Sequence, residues 1–163
     1  MEHDEMQKNL FRVYPKSMRR IQKIVINASL YKKYKESDIH KNINGCSLVL
    51  GYMFKSVEML IDDIFEEKMF VYENEIATPR SIIDIINIIL ERVSIAYPSR
   101  HDDFVFCIDI LRKNRDFLIG LCEETMERNH GIFMYNRRKM NYNLLLMIVC
   151  LKLSVFWGYL FTQ

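Results

Sequence analysis

Two charged clusters at helical spacing hold the side chains of this chain best suited to recognition. Arg19, Arg20 and Lys23 form one, and Asp62, Asp63, Glu66 and Glu67 form the other. Grouped in this way, cations and carboxylates can hold a partner of opposite charge, or each other. Catalysis asks for more. His101-Asp102 could begin a metal-hydrolase ligand set, but the further spaced His and Asp ligands that such a site needs are missing. His3, His40 and His130 are read as loop or terminal residues. Cys122 precedes Glu123-Glu124, whose negative charge disfavours a thiolate nucleophile. Ser and His nowhere stand in a nucleophile-elbow setting. The sequence points away from an enzyme, and neither a cofactor nor a metal is expected.

The charge segregation extends beyond the clusters. Residues 6–35 carry nine basic side chains and no acidic one, while residues 56–75 carry seven acids against Lys68 alone. A basic run can track phosphates or anionic lipid. Here an acidic run of matching size lies in the same chain, so the first expectation is that the two pair, and the second that they form a partner surface. Nucleic acid is not expected, because no glycine-rich loop or RNA-binding aromatic signature accompanies the basic run. The four cysteines Cys46, Cys107, Cys122 and Cys150 lack zinc or CxxC spacing and fall in apolar periodic segments. They are expected to be reduced and buried.

The elements that would position these residues are helices. At 163 residues, half of them hydrophobic, the chain fits a single α-helical domain spanning 1–163. Pro15 and Ser17 open a helix whose apolar face is Met18, Ile21, Ile24, Val25 and Ala28. Polar residues from Lys35 to Asn44 follow, with Ser37 or Asp38 able to cap the next helix. That helix presents Cys46, Val49, Leu50, Met53, Val57, Leu60 and Ile64 on one face. Thr78-Pro79 opens an isoleucine-rich helix running towards Pro98. Asp102 or Asp103 can cap a fourth, read as continuous to about Glu127 and stopped by Asn129-His130-Gly131. After Arg137-Arg138-Lys139 comes the most apolar stretch of the chain, Leu144 to Phe161, with one charge in eighteen residues. It reads either as a helix buried on all sides or as a membrane tail anchor. Lys152 weighs against the anchor, since a mid-span lysine costs about 2.5–3.5 kcal/mol on insertion. The expectation is a bundle of about five substantial helices.

Two segments carry a family resemblance. The run Thr78-Pro79-Arg80-Ser81-Ile82-Ile83-Asp84-Ile85-Ile86-Asn87-Ile88, continuing to Val93-Ser94 and Tyr97, resembles a helix of poxvirus Bcl-2-like proteins. Ile148 to Leu153, with Phe156-Trp157-Gly158-Tyr159 following, resembles their central buried helix and its exit. Ile, Asn, Lys and Tyr supply 52 of the 163 residues, the usage of an AT-rich genome, which suits such a virus. The resemblance implies a Bcl-2-like bundle with an apolar C-terminal helix. It implies a viral module that antagonises host innate immune signalling (NF-κB or interferon branches) or apoptosis by sequestering a host protein on a helical surface. The expected setting is the host cytoplasm, with a host signalling or pro-apoptotic protein as partner and a homodimer as a further option. Within the acidic segment, Met53-x3-Val57-x2-Leu60-Ile61-Asp62-x-Ile64 follows the BH3 pattern loosely, which adds Val57 and Leu60 to the candidate binding residues. The Asn-Trp-Gly-Arg groove motif of cellular relatives is reduced to Trp157-Gly158, which favours signalling inhibition over direct death antagonism. The rival reading is a tail-anchored protein of a host membrane such as the mitochondrial outer membrane. It is held through Leu144 to Phe161 and has a small cytosolic helical domain.

Overall fold

The computed structural model describes residues 2–37, 39–69 and 79–128. Among these the chain is all-helical, with six α-helices and no strand. They are α1 (Glu2–Val13), α2 (Pro15–Glu36), α3 (Ile39–Glu66), α4 (Pro79–Val93), α5 (His101–Lys113) and α6 (Arg115–Arg128). Two short 3-10 turns, Ser94–Ala96 and Pro98–Arg100, join α4 to α5. The expected helix at 144–161 and the Thr78 cap lie outside the described residues.

Helices α2 and α3 form a long antiparallel hairpin, the most extensive packing in the fold. The polar stretch after Lys35 is far shorter as a connection than its composition suggested. α2 runs to Glu36, and Ser37 closes it by donating its hydroxyl to the Tyr34 carbonyl at 2.8 Å. α5 lies against α2, α6 lies against α3, and α4 packs on both α5 and α6. The shared core takes Met18, Ile21, Ile24, Val25 and Ala28 from α2, and Met53, Val57, Leu60, Ile61 and Ile64 from α3. From α4 it takes Ile82, Ile83, Ile85, Ile86, Ile89 and Val93. Burial on several sides at once explains why α4 is isoleucine-rich without a narrow stripe.

Four features depart from the sequence reading. The charged N-terminus, not expected as an element, is the helix α1. It is anchored by Met6 and Leu10 one turn apart in the core, and by Gln7 Nε2 donating to the Ala96 carbonyl at 2.8 Å. His3 and His40, read as loop residues, lie within α1 and α3. The helix expected across 103–127 is two helices, because Asn114 leaves helical geometry (φ −110°, ψ 21°) and its side-chain amide donates to the Ile110 carbonyl at 2.8 Å. Asp102 and Asp103 do not cap α5 but lie in its first turn, where Asp103 meets Arg100 Nε at 3.2 Å and both acids favour the helix dipole.

Candidate functional site

Both charged clusters come together at one end of the α2–α3 hairpin. α2 starts with Pro15 at its first position, where the missing N–H costs nothing. The preceding residue, Tyr14, has no capping oxygen to offer the first turn, and no side-chain cap is made from it. Glu67, at the far end of α3, supplies the cap. Its carboxylate accepts the Lys16 N–H at 2.8 Å and the Ser17 N–H at 2.5 Å. A charged acceptor on two first-turn amides is among the stronger capping arrangements. The Tyr14 phenol beside it is held above its ordinary pKa by burial and by the Glu67 charge.

What aims Glu67 is the way α3 ends. Lys68 adopts φ 53°, unusual for a residue with a Cβ. The Met69 N–H reaches back to the Ile64 carbonyl at 3.0 Å and the Lys68 N–H to the Phe65 carbonyl at 3.3 Å. This is a Schellman closure with lysine where glycine is usual, and Met69, 2% exposed, supplies its apolar contact.

The remaining charges divide into paired and exposed. Arg20 Nε donates to Asp63 Oδ2 at 2.9 Å, with both side chains largely buried. Lys16 pairs with Glu66 at the exposed edge. The hydrogen bond to Glu66 and the Glu66 charge raise the Lys16 pKa most, while burial opposes them weakly. Asp62 is half-buried beside this network. Arg19 and Lys23, one turn apart on α2, are exposed and make no ion pair among the described residues. Together with Lys16, Arg20 and Asp63 they line a cleft of about 430 Å³.

Val57 and Leu60 do not join this surface. Both are fully buried on the inner face of α3, because the apolar spacing that resembles a BH3 ligand is the spacing that packs α3 into its own core. They are unavailable to a partner in the folded chain, and the candidate surface is corrected accordingly. His101 and Asp102 are exposed, and no three His, Cys, Asp or Glu side chains converge on a metal position among the described residues. Cys107 and Cys122 are buried free thiols as expected, Cys46 is only half-buried, and Cys150 lies outside the described residues.

No protein family, curated protein or solved structure matches this chain. The candidate site therefore stands on its own geometry. The role of Glu67 could not be read from the sequence, because its partners lie about fifty residues earlier and no local motif links them. Replacing Glu67 with alanine is expected to cost about 1–2 kcal/mol of stability, the range of a strong N-cap. Urea denaturation measures this, with Glu67→Gln recovering part of the loss because it keeps an acceptor.

Proposed function

We propose that this chain is a viral intracellular binding module that antagonises host innate immune signalling or apoptosis by sequestering a host protein on a helical surface. The contact centres on Arg19 and Lys23. The observation that carries this reading is the contrast within one cluster. Arg20, Asp63, Lys16, Glu66 and Glu67 neutralise one another, whereas Arg19 and Lys23 face solvent beside an open cleft. Exposed cations of this kind steer an acidic partner and fix its register more than they stabilise a fold. The family resemblance of residues 78–97 and 148–159 supplies the viral and host-directed part of the proposal.

The test separates the two kinds of charge. Arg19→Glu with Lys23→Glu is expected to leave the melting temperature within about 1 °C, since exposed surface changes rarely exceed about 0.5 kcal/mol. The same variant is expected to lose the host partner that the wild type retains, and to lose suppression of an NF-κB or interferon reporter. Arg20→Glu is expected to cost about 1–3 kcal/mol, between the values for exposed and buried pairs. A double variant that keeps both the partner and the reporter effect overturns the proposal.

The tail-anchored alternative rests on the composition of Leu144 to Phe161. Among the described residues, no helix is long and apolar enough to cross a membrane.

A further inference from the structure

The exposed residues of α2 line up on one ridge. Between Lys16 and Lys33 they are Lys16, Arg19, Lys23, Ile26, Leu30 and Lys33, and every other residue of that interval is buried or half-buried. They alternate three and four apart, the 3.5-residue repeat that keeps one line of side chains facing a neighbouring helix. Met18, Ile21, Val25 and Ala28 hold the opposite side of α2 in the core, so the ridge points away from the bundle. It is basic at both ends and apolar between them. Ile26 is 45% exposed and Leu30 37% exposed, one turn apart, and they are the two exposed large hydrophobic residues of α2. The fold alone does not call for Ile26, because a β-branched side chain on an exposed helix face gives up rotamer freedom that a straight-chain residue keeps. No carboxylate precedes Glu36 in α2. Arg19, Lys23 and Lys33 make no ion pair among the described residues.

We propose that this ridge is the docking track for an amphipathic helix of the partner, with acidic residues opposite Arg19, Lys23 and Lys33 and apolar residues opposite Ile26 and Leu30. The inference rests on the reading above, in which Arg19 and Lys23 hold a host protein, and extends that contact along about 21 Å of α2. The occupant is a helix because its side chains recur at the interval of the ridge. An extended segment repeats every ~6.6 Å on one face and drifts out of step. It is acidic because three cations of the ridge have no carboxylate of their own, while the apolar pair between them supplies the dry centre that a contact needs inside a polar rim. A second copy of α2 does not fit. Laid antiparallel it sets Lys33 against Arg19, and laid parallel it sets each cation against itself. An anionic membrane fits less well than a helix. It is a broad surface, so it also meets Glu66, whose side chain is 59% exposed beside Lys16. The ridge offers such a surface two aliphatic side chains and no aromatic one to insert.

A synthetic peptide of about 21 residues serves as the probe, with leucine at the two central seam positions, glutamate at the outer seam positions and helix formers elsewhere. A second peptide of the same composition in shuffled order breaks the repeat. Fluorescence anisotropy with the full chain is expected to show the first peptide bound at least about tenfold more tightly than the second. Ile26→Ser with Leu30→Ser is expected to weaken that binding about tenfold. Lys33→Glu is expected to weaken it by a similar factor that shrinks as salt is raised. These positions face solvent, so the melting temperature should move by no more than about 1 °C. In cells, both variants are expected to lose the host partner, as Arg19→Glu with Lys23→Glu does. If the Arg19–Lys23 reversal loses the partner and these variants keep it, the charged surface stands and the helical track is overturned. Equal binding of the two peptides, or binding of neither, overturns it as well. So does attachment to phosphatidylcholine–phosphatidylserine vesicles in place of the ordered peptide, which would mean a membrane surface. A dimer in solution that Ile26→Ser with Leu30→Ser abolishes would put a second copy on the ridge and overturn it too.

Discussion

Leu60→Ala is expected to lower the stability of the fold by about 2–5 kcal/mol, the cost of a large-to-small change in a packed core. Leu60 is fully buried where α3 packs into the core shared with α2, and its neighbours Val57, Ile61 and Ile64 are equally enclosed. Collapse around the deletion is limited, because rigid helices hold the cavity open on both sides. For a chain of this length the loss corresponds to a drop of roughly 5–15 °C in melting temperature. Thermal unfolding followed by circular dichroism measures it. Met59→Ala, one position along and 39% exposed, is the control and should change stability by no more than about 0.5 kcal/mol. The pair distinguishes a core helix from a partner-docking helix. If Leu60 were a docking anchor, its removal would weaken binding and leave the melting temperature alone.

The second large effect is alkaline destabilisation. Burial pushes the thiols of Cys107 and Cys122 up to about 12, with Glu58 adding to the shift at Cys122. In the unfolded chain these thiols ionise near the ordinary cysteine value, so above about pH 9 the unfolded state sheds protons that the folded state retains. Stability supplied by the protonated thiols is therefore fully present below that pH and is lost as the pH climbs towards the folded values. The expected slope is about 1.4 kcal/mol per pH unit for each thiol, within a plateau-then-fall profile. The phenols of Tyr14 and Tyr97, both raised chiefly by burial, steepen the fall once the pH passes the ordinary tyrosine value. The raised Lys16 works in the same direction, its ion pair with Glu66 fading as the ammonium deprotonates. Urea titrations at pH 7 to 11 give the profile, and Cys107→Ala should remove one thiol's share of the slope. A flat profile between pH 9 and 11 would mean that both sulfurs reach water in the native state.

The helical faces were legible because apolar spacing reports directly on which side of a helix loses water. Met18, Ile21, Ile24, Val25 and Ala28 are buried as read, and so are Val49, Met53, Val57, Leu60 and Ile64. Leu50 and Cys46, on the same predicted face, are only half-buried. α1 escaped notice because two core residues, Met6 and Leu10, are too few to stand out against seven charged or amide neighbours. The division at Asn114 turns on one side-chain hydrogen bond, which apolar periodicity does not register. At the candidate site the sequence supplied both clusters and the expectation that they pair, but not the partners. It gave no warning that Lys68 would take the backbone conformation of a glycine, nor that Glu67 would thereby cap a helix begun about fifty residues earlier. Val57 and Leu60 carried two readings, core face and candidate binding residues, because a BH3-like spacing and a core-facing spacing are the same pattern, and both are buried.

The cap formed by Glu67 makes two ordinary amides into sensors of the whole hairpin. The N–H groups of Lys16 and Ser17 belong to a first helical turn, where amides usually trade their hydrogens with water through local fraying. Here they can do so only when the far end of α3 lifts away from the start of α2. In deuterated solvent their exchange would run slower than that of first-turn amides in α5, which no distant carboxylate holds among the described residues. It would also track the opening of the α2–α3 pair and not the loosening of a helix end. Two backbone positions near the N-terminus would thus time a separation event whose other half lies at the end of α3.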